Sequence, residues 1–340
     1  MRRGVALALV LVGGAVLLAF GVGRFPVAPG EVLRVLAGAL GVSVGEGEGS
    51  LPDNVRNVVL HIRGPRIVAA LAVGAALALA GATFQGLFRN PLVSPDILGA
   101  SAGAALGAVL GIFFALPLVG IQAAAFAGGL LAVGAVVLVG SAVQAADRGD
   151  PVLVLLLTGL VLGALVGAGI GLVKVLADPY DQLPAMTFWL LGSLSGATAR
   201  DLGPLLLPVL LGAGTLLALR HRLDALSLPD EEARALGLPT TTLRLVLIAA
   251  ATLVTAASVA VAGIVGWVGL VVPHLARFLV GPSFPRLLPV AALIGGGFLL
   301  LIDTLARTMA AVEVPLGLLT ALVGTPFFIA LLRRARRGWA

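Results

Sequence analysis

Charge is confined to short segments of this chain, and that pattern limits what it can fold into more than any motif does. No Asp, Glu, Lys or Arg occurs in residues 4–23, 67–88, 97–146, 151–173, 202–219, 245–276, 287–302 or 314–332. A helix that crosses a bilayer needs about 20 mainly apolar residues. Each run therefore suits one crossing, and 97–146 and 245–276 are long enough for two. Leu116-Pro117 divides the first of these, and the stretch Gly263–Gly266 divides the second. With 287–302 extended by a turn, this reading gives ten spans, within the roughly eight to eleven that hydropathy alone allows. A soluble globule is excluded, because only 11% of residues are charged against about 25% in soluble domains.

Basic residues orient the spans. Arg2 and Arg3 precede the first run, and Arg333, Arg334, Arg336 and Arg337 follow the last. The preference of cytoplasmic segments for Lys and Arg places both termini in the cytoplasm, which requires an even number of spans. Arg24, Arg34, Arg56, Arg63 and Arg66 then fall on the outer side, against the rule. The first run is longer than a secretory signal core and lacks an A-x-A cleavage site, so it reads as a retained helix. No basic stripe with interleaved aromatics exists, which argues against nucleic-acid binding. Cysteine is absent, so disulfides, thiolate metal sites and cysteine nucleophiles are absent too.

Glycine accounts for 46 of 340 residues, close to twice the usual share of about 7%. Two rows stand out: Gly99, Gly103, Gly107 and Gly111, and then Gly159, Gly163, Gly167 and Gly171. Four-residue spacing keeps each row on one helix face, where small residues permit close helix contact. One such face is expected to border a pathway or a dimer seam.

Three segments are not simple spans. Residues 221–242 read HRLDALSLPDEEARALGLPTTT and form the longest polar stretch assigned to the inside. Ser227 is placed to cap a short helix containing Asp230, Glu231, Glu232 and Arg234, with acids at its start favoured by the helix dipole. Gly237 and Pro239 supply its stop. Residues 182–199 with Trp189 suit an outer interfacial helix. The turn FRNPLVSPDILGAS places Ser94 as a cap and Pro95 at the first helical position.

Nothing here resembles a hydrolytic centre. There is no G-x-x-x-x-G-K-[ST] loop and no H-E-x-x-H motif, and His61, His221 and His274 lie far apart in sequence. Ion-driven transporters place carboxylates or histidines within the membrane. Here the acids sit near span ends or in loops, and even Asp303 lies only four residues before Arg307. An energy source on another subunit follows. A proton-driven secondary transporter and an intramembrane enzyme are the competing classes. The first would transport without an ATPase; the second needs paired polar residues inside spans, which the sequence lacks.

The stretches RGPRIVAALAVGAALALAGATFQGLFRNPLVSPDILGASAGA (63–104), FWLLGSLSG (188–196) and DEEARALGL (230–238) carry a resemblance. So do GWVGLVVPHLARFLVG (266–281), DTLAR (303–307) and VPLGLLTALVGTPFFIALL (314–332). In this order they resemble the FecCD-type permeases of bacterial ABC importers for iron chelates, haem and cobalamin. The resemblance implies an all-α membrane protein of the type II ABC importer class. It would have ten helices per subunit in a single permease domain over 1–340, with 221–242 as its cytoplasmic coupling segment. It implies a multi-pass inner-membrane homodimer, two cytoplasmic ATPase subunits that bind ATP and Mg, and a periplasmic binding protein; no cofactor is implied in this chain. Arg63, Arg66 and Arg307 match positions that receive acidic residues of the binding protein. Ser227, Asp230, Glu231, Glu232, Arg234 and Gly237 match the ATPase-coupling segment. The fifth span, with Gly159, Gly163, Gly167, Gly171 and Lys174, would line the pathway, and Asp147, Arg148 and Asp150 would belong to its inner gate. An iron(III)-siderophore is the first choice of substrate, haem and cobalamin follow, and an oxyanion such as molybdate stays open. Lys174 suits an anionic chelate, and it equally suits a side chain that snorkels to the interface.

Overall fold

The computed structural model describes residues 2–23, 25–39, 41–42, 52–146 and 151–336, and these are helical with short connections. In chain order the helices are α1 (Arg2–Gly21), α2 (Pro29–Ala39) and α3 (Asp53–Asn57), which runs through one wide turn (Val58–Arg63) into α4 (Gly64–Leu87). Next come a single tight turn (Pro95–Leu98), α5 (Ala100–Phe113), α6 (Leu118–Ala146), α7 (Pro151–Leu176), α8 (Gln182–Leu191) and α9 (Ala199–Ala218). The chain ends with α10 (Arg220–Leu226), α11 (Asp230–Ala235), α12 (Thr240–Ala262), α13 (Val268–Val280), α14 (Phe284–Thr308) and α15 (Leu316–Arg336). Among the described residues, seven helices are long and apolar enough to cross a membrane. Three shorter apolar helices lie at 100–113, 268–280 and 316–330.

Both expected divisions occur, for local reasons. The helix that ends at Phe113 is closed by Ala115 in the left-handed conformation, and Pro117 precedes the start of α6. After Ala262 the chain leaves helical geometry at Gly263, φ 67°, and resumes at Val268. A methyl group on Gly263 would also collide with the Trp189 carbonyl, so glycine is required there twice over.

The centre of the molecule is the antiparallel pair α4 and α14. Arg66 meets Asp303 at one end, Gly74 meets Gly295 in the middle, and Gly86 meets Phe284 at the other. At the crossing a methyl group on either glycine would strike the other's carbonyl. Backbones in direct contact gain dispersion over their whole length, which is how helices associate where lipid removes the hydrophobic drive. α12 packs against α4 from another side and buries Thr252, Thr255 and Ser258. Thr255 and Ser258 donate back to the carbonyls of Ala251 and Val254, so these hydroxyls need no water.

The pairing gives the bundle two distinct ends. At the first, α1 and α14 finish and α4 begins. At the second, α4 and α13 finish, α14 begins, and α10 and α11 are attached.

Candidate functional site

At the first end three arginines converge. Arg63 ends the wide turn before α4, Arg66 comes from the first turn of α4 and Arg307 from the last turn of α14. Arg66 spends one edge of its guanidinium on Asp303, with Nε 3.0 Å from Oδ1 and 3.1 Å from Oδ2. The other edge faces Glu313, with Nη1 to Oε1 and Nη2 to Oε2 both at 2.9 Å. Such two-pronged pairing is the strongest geometry open to Arg and a carboxylate. Arg307 Nε lies 3.4 Å from Asp303 Oδ2, near enough for an ion pair but not aligned as a hydrogen bond. Arg63 donates to the carbonyls of Phe20 and Phe25, and Arg307 Nη2 donates to the Ala19 carbonyl at 3.1 Å. The arginines thus tie the end of α1 to α4 and α14, and they border a cavity of about 200 Å³ together with Glu313.

Sequence reading places Arg63, Arg66 and Arg307 at an outer mouth, and the structure brings all three together. It also buries them, each less than a tenth exposed. The arginines that the charge pattern assigns to the outer side therefore include members of a built ion-pair network. Two of its members are not evident from sequence as partners of the arginines. Asp303 stands in the DTLAR stretch four residues before Arg307, and Glu313 gives one faint signal, a lone carboxylate directly before the apolar run 314–332.

At the second end α10 packs on α4 and α14 through the buried Leu223 and Leu226, and α11 is the more exposed of the pair. Glu231, Glu232, Arg234, Leu236 and Gly237 are exposed, and Ala233 is the anchor turned inward. Asp230 opens α11, and Gly237, φ 77°, closes it by donating its N–H to the Arg234 carbonyl at 2.8 Å. Ser227 does not cap α11. The segment forms the additional helix α10, so Ser227 falls at its end and donates to the Asp224 carbonyl at 2.5 Å, and Pro229 precedes α11 instead. Asp224 performs the capping that matters here. Its carboxylate accepts from Ser283 Oγ at 2.9 Å and from the Phe284 N–H at 2.7 Å, satisfying the start of α14 and complementing its dipole. α14 thereby runs from the polar segment at this end to the arginine cluster at the other.

A second polar group braces this end. Arg277 donates to Gln85 Oε1 at 2.6 Å, and His274 Nε2 lies 3.0 Å from the Pro91 carbonyl. The turn at 94–101 is closed by Asp96, whose carboxylate accepts from Ser94 at 3.3 Å and from Ser101. Ser94 occupies the expected cap position ahead of Pro95, although its hydroxyl serves Asp96 rather than the backbone.

The two glycine rows part company. Gly103 faces the Gly128 carbonyl, Gly107 the Ala124 carbonyl, and Gly111 approaches Ile121, so the three glycines of the first row that lie on α5 are used up against α6, while Gly99, φ 79°, precedes the helix. In the second, Gly159 abuts the Ile97 carbonyl, but among the described residues outside the adjacent turns of α7 itself nothing lies within 4 Å of where a side chain would start at Gly163, Gly167 or Gly171. Lys174 is partly buried in the last turn of α7. Asp147, Arg148 and Asp150, expected at the inner gate, lie outside the described residues.

The model of the FecCD transport family matches residues 9–334. The chain is 38% identical to the molybdate import system permease protein MolB of Haemophilus influenzae over 98% of this chain and 95% of that one. It is 43% identical to the cobalamin import system permease protein BtuC of Halobacterium salinarum over 83% of this chain and 75% of that one. A solved metal-chelate type ABC transporter in an inward-facing conformation superposes with a TM-score of 0.87 at 34% identity, covering 98% of this chain and all of that one. With a family match over nearly its whole length, the chain belongs to the FecCD transport family, and it is a transport permease rather than an enzyme.

Proposed function

We propose that the chain is the membrane permease of an ATP-driven importer, working as a homodimer in the inner membrane with both termini in the cytoplasm. The seven long helices and three shorter apolar ones act as ten crossings of a single permease domain. The observation that carries this reading is coverage: the family match and the solved transporter both extend along almost the entire chain. The exposed α10–α11 segment is the contact for a separate ATPase subunit, which binds ATP and Mg. The arginine end receives a substrate-binding protein through acidic residues that reach the cavity beside Arg63, Arg66 and Arg307. The open face of α7, bearing Gly163, Gly167 and Gly171, meets the second copy or lines the pathway, with Asp147, Arg148 and Asp150 assigned to the inner gate.

The cargo is an iron(III)-siderophore or a related chelate such as haem or cobalamin. The full-length likeness to a molybdate permease supports a second reading, an oxyanion cargo drawn in by Lys174. Uptake of labelled ferric siderophore, haem, cobalamin and molybdate by the reconstituted importer separates them, and uptake without the ATPase would overturn the ATP-driven reading. The purified chain alone is expected to hydrolyse no ATP. The pair Glu231→Arg with Glu232→Arg sets like charge against the start of α11 and should weaken assembly with the ATPase, measured by co-purification and by transport. Unchanged assembly and transport would remove α11 from the coupling role.

A further inference from the structure

Arg66 holds two carboxylates, and they are not equivalent. The Asp303 side chain is 0% exposed, whereas that of Glu313 is 32% exposed. Asp303 comes from the body of α14 and also faces Arg307, so it is a fixed member of the cluster. Glu313 comes from the connection between α14 and α15 and sits at the rim of the cavity. It occupies the Nη1–Nη2 edge of Arg66, a fork whose geometry matches a carboxylate entering this cavity. Three guanidinium groups here share two acids, so a positive excess persists for an incoming anion even with Glu313 in place.

Glu313 also borders a second cavity, of about 540 Å³, beside Phe188, Gly192 and Ser193. Just beyond it, Leu316 donates its N–H to the Gly192 carbonyl at 2.9 Å, and Gly317 lies against the carbonyls of Leu191 and Ile264. The start of α15, directly after the connection that carries Glu313, is therefore hydrogen-bonded to the end of α8, while Val314 within the connection donates to the Ala306 carbonyl of α14 at 3.1 Å.

We infer that Glu313 is an internal occupant of the arginine cavity, displaced when an acidic residue of a docking protein takes the same edge of Arg66, and that its release moves the 309–315 connection against the end of α8. This rests on the docking role proposed above for the arginine end. Removing the resident acid leaves Arg66 with an open fork and raises the local positive charge. The competitor that the docking acid must replace is then gone.

The chain has no cysteine, so Val312→Cys gives a single thiol on this connection for an environment-sensitive fluorophore. The labelled permease, assembled with its ATPase in nanodiscs, is compared with and without the importer's own binding protein. With Glu313 intact, the binding protein should shift the emission. In Glu313→Gln the shifted emission should be present beforehand, and the binding protein should bind about two- to fivefold tighter, the range of one partly exposed ion pair. Glu313→Asp keeps the charge and should retain the unshifted emission. Glu313→Gln indistinguishable from the parent in emission and affinity would overturn displacement, as would Glu313→Asp shifted as far as Glu313→Gln. Docking is tested separately by Arg63→Gln, whose guanidinium bonds backbone carbonyls. It should weaken binding-protein affinity, and unchanged affinity there would defeat the docking role itself.

Discussion

The helices α5 and α7 carry glycine at the same four-residue spacing, and the fold treats them in opposite ways. The row on α5 is pressed against α6, where the carbonyls of Gly128 and Ala124 stand in place of absent side chains. The row on α7 is open from Gly163 onward, and only 6% of the α7 apolar window is buried, against 78% for the window that includes α4. A pattern of small residues thus states that something approaches closely, but not whether that something is in the same chain. An apolar helix with an uncovered flat face is suited to contact a second copy.

This contrast can be broken experimentally. The largest effect is expected from Gly107→Leu, because the added side chain would have to displace the α6 backbone. Overpacking commonly costs about 1–3 kcal/mol, and a clash with a carbonyl that cannot rotate away should reach or exceed that range. Thermal unfolding in detergent, followed by the monodisperse fraction, measures it. Gly163→Leu or Gly167→Leu should leave the unfolding temperature of the dispersed subunit almost unchanged while reducing dimer cross-linking or transport. A loss of subunit stability equal to that of Gly107→Leu would mean the α7 face is packed within the chain after all. The smallest effect is expected from Leu165→Phe, at a position 66% exposed on the same helix, where transport and stability should both stay close to the parent. If Leu165→Phe impairs transport as much as Gly163→Leu, the pathway or seam does not follow the glycine face.

The two ends of the bundle repeat the contrast. At the α10–α11 end the informative side chains are exposed, and their helix boundaries were legible from Gly237 and Pro239, because turn and stop signals act over a few residues. Ser227 falls elsewhere because α10 is fixed by distant segments, α4 and α14, among its contacts the bonds from Ser283 and Phe284 to Asp224. At the arginine end the residue types were legible and their condition was not. Arg63 and Arg66 looked like an outer basic patch, yet their partners lie hundreds of positions away at Asp303 and Glu313 or are backbone carbonyls of α1 and its exit.

By itself the sequence determined that the chain is a membrane-embedded helical bundle, where its spans divide, and which family it resembles. These rest on local quantities: charge-free length against bilayer thickness, proline and glycine at helix ends, and ordered motifs. Only the tertiary structure decided which glycine row is used inside the chain, that α4 and α14 touch backbone to backbone, and that Arg66 holds one fixed and one rim carboxylate. Those are long-range pairings. In an apolar bundle many helix faces are chemically alike, so the partner of each face is chosen by shape and by a few buried ion pairs, which become visible only when distant segments are brought together.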